Sequence, residues 1–194
     1  MNLTEERDRT INQFTKSQFD YKIRLDNELY RHITVRGPDS MNQWHDIVSW
    51  PDHLCICGDM GTFTFSRCED MFPFFNHDKV NIYYWAEKIC FTGQCTSPIW
   101  TEYDSNLFKE ELVEYKEELL KENNDEHLDK LEEIQDQLDG GLDDTSEEGA
   151  YEFMYRINEH YEHCGIGFKK PTYNFVWCCE AIRTAVKNYY LTKQ

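Results

Sequence analysis

The stretch Ile47–Phe75, IVSWPDHLCICGDMGTFTFSRCEDMFPFF, decides the fold. His53–Cys57 and Thr62–Arg67 are short, roughly alternating runs of β-branched, aromatic and small residues, the pattern of half-buried strands. Gly58-Asp59-Met60-Gly61 lies between them and supplies the residues of a hairpin turn. Trp50-Pro51-Asp52 breaks the chain just upstream. Downstream, Ser66 and Glu69 have the S-x-x-E spacing of a helix start, and Met71, Phe72, Phe74 and Phe75 would form that helix's buried side. This segment reads as the folding core of the chain.

Working outward, Thr4 is placed to cap a first helix reaching about Lys16, with Glu5 and Glu6 at its positive end and Ile11 and Phe14 as its apolar side. Two alternating runs follow, Phe19–Leu25 and Leu29–Val35, separated by Asp26-Asn27-Glu28. They predict an antiparallel hairpin with Tyr21, Ile23 and Leu25 on one face. Gly37-Pro38-Asp39-Ser40 is a turn, and a third strand over Trp44–Ser49 leads into the central hairpin. Five short strands with tight connections predict a meander of sequential neighbours. Asn81–Phe91 reads as a helical or buried segment, and Thr92–Thr101, with Gly93, Ser97 and Pro98, as a loop.

Beyond that loop the chain changes character. Residues 102–162 hold 22 acidic and 5 basic residues, a net charge of −17, whereas the remainder holds 15 of each. The entire formal charge of the 194-residue chain therefore sits in one block. Within it Leu107, Phe108, Leu112, Tyr115 and Leu119 recur at helical spacing, as do Leu128, Leu131, Ile134 and Leu138. Asn123-Asn124 separates the two runs and Gly140-Gly141 ends the second, which predicts an acidic helical hairpin. A third helix is expected over Ala150–His160, with Phe153, Met154 and Ile157 inward. Thr172–Tyr190, with Phe175, Val176, Cys179, Ile182, Val186 and Tyr190, is apolar enough to pack back on the sheet.

The expected fold is α+β: an antiparallel sheet of about five strands, packed by N- and C-terminal helices, with an acidic helical subdomain. Its parts are residues 1–101 as the sheet-containing core, 102–162 as the acidic subdomain, and 163–194 as the returning helix.

Charge and hydropathy exclude some roles. A net charge of −17 opposes direct binding to nucleic acid or to an anionic membrane. The longest apolar runs fall short of a membrane span. MNLTEERDRT lacks the basic-then-apolar pattern of a secretory leader, so an intracellular setting is expected, with the eight cysteines as reduced thiols.

Candidate chemistry is sparse. Cys55 and Cys57 point to one face of a strand. With Cys90 and Cys95, or with His160, His163 and Cys164, they would supply the ligands of a zinc site, but no C-x2-C pair occurs. Buried cysteine is the plainer reading, above all for Cys178-Cys179 in an apolar helix. Asp59 in GDMG matches a short metallophosphatase signature, yet the upstream Asp-x-His and the later Gly-Asn-His are missing, and a turn accounts for it. His160 and His163 are three apart beside Glu159 and Glu162, as at a helix end. Neither a nucleophile elbow nor a phosphate-cradling glycine loop is present. No catalytic residues, metal or cofactor are therefore assigned.

The strings LCICGDMGTFTFSRCEDMFPFF, YYWAEKIC and NFVWCCEAI resemble a family of accessory proteins of tailed bacteriophages and prophages. The likeness covers most of the chain outside the acidic block and brings no assigned activity. It implies a phage origin, action in the host cytoplasm and, by analogy with small phage proteins that block host defences, an inhibitor. The acidic block then reads as a mimic of a phosphate backbone, with Glu110, Glu111, Glu114, Glu117, Glu118, Asp125, Glu132, Glu133 and Asp136 as the partner-binding residues. Its expected partner is a host protein or ribonucleoprotein complex of CRISPR or restriction type, without direct nucleic-acid or membrane binding. A homodimer through an exposed aromatic edge strand is also expected to be feasible. The alternatives are an accessory or assembly factor whose charge only keeps it soluble, and a Cys/His metal-dependent enzyme.

Overall fold

The computed structural model describes residues 8–12, 14, 19–37, 43–92, 100–122, 124, 127–140, 146–162 and 165–194. The fold is α+β and divides into two compact units, residues 1–101 with 171–194, and residues 102–170. Thr4, Glu5, Glu6, Lys16, the Gly37–Ser40 turn past its first residue, and the 93–99 loop lie outside the described residues.

The first unit begins with a helical stretch over residues 8–12, called α1, followed by a six-stranded antiparallel sheet. The strands are β1 (Asp20–Asn27), β2 (Tyr30–Arg36), β3 (His45–Trp50), β4 (His53–Gly58), β5 (Gly61–Ser66) and β6 (Ile89–Thr92), each beside its neighbours in sequence. Between β5 and β6 lie two single-turn helices, α2 (Met71–Phe75) and α3 (Ile82–Ala86). The chain returns as α7 (Tyr173–Leu191), buried on much of its circumference through Phe175, Val176, Trp177, Cys178 and Cys179 and on to Tyr189.

Three expectations need correction. The sheet has a sixth strand: Asn81–Phe91, expected to be helical or buried, is helical over α3 but passes into β6 at its end. Asn81 caps α3 by accepting from the Tyr84 N–H at 3.1 Å, the helix ends after one turn, and Phe91 then pairs with Thr64. The start of α2 is capped by Asp70, not Ser66: Ser66 is held in β5 opposite His53, and the Asp70 carboxylate accepts from the Phe72 N–H at 3.0 Å. Leu25 does not share a face with Tyr21 and Ile23. A register shift between Ile23 and Leu25 sets Ile23 opposite buried Ile33 but Leu25 opposite His32, on the other face.

The GDMG turn forms as expected. Gly61 has φ +120, and a Cβ at Gly58 would lie 2.2 Å from the Trp44 carbonyl oxygen, so both positions require glycine.

Arg31 ties the layers of this unit together. Its guanidinium makes two bonds to the Asp70 carboxylate, at 2.6 and 2.9 Å, and lies over the rings of Phe72 and Tyr189. Replacing Asp70 by Ala removes a helix cap and strands a buried cation. We expect a loss of about 2 kcal/mol, discounted for the partial exposure of Asp70, as a lowered urea midpoint with unchanged slope.

His45 is buried and neutral. Burial pulls its pKa from 6.5 to about 4, its Nδ1–H donates to the Gln43 carbonyl at 3.1 Å, and its ring stands edge-on to Trp177. The folded pKa lies below the unfolded one, so the unfolded chain takes up the proton first as pH falls. Stability is then lost progressively from pH 6.5 to about 4, by roughly 3 kcal/mol over that span. Urea midpoints measured across this range should show that slope in the native chain and a flatter one in His45→Leu.

β7 (Thr101–Tyr103) and β8 (Lys169–Pro171) pair, and the second unit's three helices lie between them in sequence: α4 (Ser105–Glu122), α5 (Leu128–Asp139) and α6 (Glu147–Ile157). Their core is Phe108, Leu112, Leu119, Ile134, Phe153 and Met154, closed by Tyr161 and Phe168. Ser146 caps α6 by accepting from the Gly149 N–H, and Gly140 ends α5. Leu128, expected inward, opens α5 and is 60% exposed.

Candidate acidic interface

The apolar stripe of α4 fixes where its carboxylates go. With Phe108, Leu112 and Leu119 buried, Glu110, Glu114, Glu117 and Glu118 recur at i, i+4, i+7 and i+8 on the exposed side. On α5 the burial of Ile134 likewise leaves Glu132, Glu133 and Asp136 exposed. Glu111 is half-buried, and Asp125 lies outside the described residues. Seven of the nine assigned residues are thus solvent-facing on two helices that share a core.

The scaffold is tied across its helices. Lys116 of α4 bonds Gln135 of α5, the Tyr115 hydroxyl donates to the Ile157 carbonyl at 3.3 Å, and Arg156 of α6 pairs with Glu133 at 3.4 Å. Asp104 holds the start of α4, accepting from the Asn106 N–H at 3.0 Å, and lies 3.3 Å from Lys170 of β8.

A cleft of about 320 Å³ opens beside α4, lined by Leu107, Glu110, Glu111, Glu114, Tyr161, Glu162, Gly167 and Phe168. Tyr161 and Phe168 stack at 6.3 Å and 11°. Among the described residues the lining brings four carboxylates and no basic group. Such a site favours a cation on an apolar stem, as in a lysine or arginine side chain. The carboxylates of α4 were legible from their spacing, whereas Tyr161, Glu162 and Phe168 were not assigned. The one local signal was the glycine pair Gly165 and Gly167, whose positive φ values of 67 and 62 turn the chain before Phe168.

Glu111 has its carboxyl pushed above the usual range by burial first, and by the charges of Glu114 and Glu118 second. Its folded pKa exceeds the unfolded one, so its charge opposes folding at neutral pH and stops doing so in acid, where it is protonated. Glu111→Gln should therefore stabilise the chain at pH 7 by no more than about 0.5 kcal/mol. A thermal melt at pH 7 should show that gain, and one at about pH 3 should not.

The other candidate groups are dispersed. Cys178 and Cys179 are buried, as expected of core cysteines, but Cys57, Cys68 and Cys90 are exposed and Cys55 is intermediate. Burial raises the Cys55 and Cys90 thiols, which disfavours the thiolate. His160 is exposed beside Glu159; His163, Cys95 and Cys164 lie outside the described residues. Among the described residues no group of three or more His, Cys, Asp or Glu is arranged to hold a metal ion, and no helix is long and apolar enough to cross a membrane. Asp59 serves its turn, accepting from the Gln43 N–H at 3.0 Å.

Comparison with protein-family models, with curated proteins and with solved structures finds no match to this chain.

Proposed function

We propose that the chain is a phage-encoded, non-enzymatic inhibitor of a host nucleic-acid-handling defence complex, of CRISPR or restriction type. It acts in the host cytoplasm by setting carboxylates where the complex would hold a phosphate backbone.

The observation that carries this reading is the segregation of charge onto a folded scaffold. The second unit holds 22 acidic and 7 basic residues, and the first holds 15 and 13. Spacing supports it further. From Glu110 to Glu118, α4 presents four exposed carboxylates over about 12 Å of helix axis, one about every 4 Å. A DNA strand carries one phosphate about every 3.4 Å of its axis. A basic groove built for the second array would meet the first at similar density. Holding the array on packed helices also spares the partner the cost of ordering it.

The test is an affinity capture of tagged chain from bacterial lysate at low and then raised salt, with the bound complex identified by mass spectrometry. We expect a nucleic-acid-binding complex that elutes as salt rises. The variant with Glu114, Glu117, Glu118, Glu132 and Glu133 all replaced by Gln should weaken capture at least about tenfold, through a slower on-rate. Undiminished capture by that variant would sink the mimic.

A further inference from the structure

The two faces of the sheet are unlike. Among the described residues, every strand residue in the first unit's buried core (Ile33, Val35, Ile47, Leu54, Ile56, Phe63 and Phe65) belongs to the face turned to the helices. On the other face, strand register sets Leu25, His32, Val48, Cys55, Thr64 and Phe91 in one cross-strand row through all six strands. Beside that row Trp50 and His53 stack at 5.1 Å. Leu25 is 49% exposed, Val48 37%, Tyr30 51% and Phe91 58%.

Charge separates this face from the second unit. Lys22 pairs with Asp20 at 2.8 Å and Arg36 with Asp46 at 3.3 Å, while Arg24 reaches Thr34. In a chain of net charge −17 the face is nearly balanced, with a mostly apolar row across its middle that His32 and Thr64 interrupt.

We propose that the open face of the sheet is the interface of a symmetric dimer, occupied by the same face of a second copy. Self-pairing suits a surface that is electrically balanced and whose cross-strand row carries apolar side chains on four of the six strands (Leu25, Val48, Cys55 and Phe91), because a two-fold axis brings like patches together. Its size also suits. Six strands about 4.8 Å apart, each about six residues long, project roughly 600 Å² before side-chain relief is added. Stable dimers bury about 800 Å² per partner. The two sheets would pack face to face about 10 Å apart, with Val48 and Phe91 supplying contact and the strongly acidic units as the opposing force.

That opposition gives the test a signature. Sedimentation equilibrium of the full chain should show a dimer that strengthens as salt rises from about 0.02 M to about 0.3 M and screens the acidic units. This is the reverse of the salt response expected for the inhibitor's capture of its partner, so either idea can fail alone. Val48→Glu, at an exposed position, should weaken dimerisation at least about tenfold while the far-ultraviolet spectrum is kept. Thiol labelling adds a check that needs no variant: Cys57, on the open face, should be alkylated several-fold more slowly at dimer-forming concentration, and Cys68 should not change. A chain monomeric at all concentrations would overturn the proposal. So would a dimer indifferent to Val48→Glu, or one that leaves Cys57 as reactive as in the monomer.

Discussion

The contact on which the first unit depends is the Arg31 guanidinium, set between the Asp70 carboxylate and the rings of Phe72 and Tyr189. Arg31 stands on β2, Asp70 begins α2, and Tyr189 lies in the last turns of α7, so one side chain joins three elements far apart in sequence. The neighbouring contact extends the joint: Tyr189 donates to Asp26 of β1 at 2.9 Å, and Lys193 reaches the same carboxylate. A cation so little exposed is tolerable only while its partner is ionised, which the guanidinium itself favours. The Asp70 carboxyl accordingly falls below its usual range. Burial there works against the shift, and the bonds from Arg31 and the Phe72 N–H outweigh it.

The second unit rests on a different balance. Its carboxylates repel one another, and its core must outweigh that repulsion with far fewer residues than the first unit buries. The aromatic packing of Phe108 against Phe153 and Phe168, at 6.0 and 5.2 Å, concentrates the burial in large side chains. Glu111 records the tension, since it sits where the buried stripe and the acidic stripe of α4 meet.

Local chemistry made much of this legible from the sequence. The hairpins were readable because turns such as GDMG are chosen by residues adjacent in the chain, and the acidic helices because leucine spacing fixes which side is left for glutamate. What could not be read depends on partners distant in sequence. Ile89–Thr92 is a strand because β5 offers an edge, not because its own composition demands one. Ser66 had the look of a cap, but its pairing with His53 holds it in β5 and leaves the helix start to Asp70. The shift near Arg24 that turns Leu25 over leaves no mark on an alternating pattern. The cleft was hidden for the same reason: Tyr161 and Phe168 come together beside α4 only through tertiary packing.

The placing of the second unit between β6 and α7 has a consequence for how the chain is made. The sheet is synthesised first, but the helix that covers its apolar face begins only after eighty further residues, 93–172. At ribosomal rates that is an interval of roughly 4–16 seconds in which Ile47, Ile56, Phe63 and Phe65 lack their final cover. During that interval the segment growing behind them is the most highly charged in the molecule. Like charge on that segment repels its counterpart on another nascent chain, which opposes the meeting of two unfinished sheets until α7 is made.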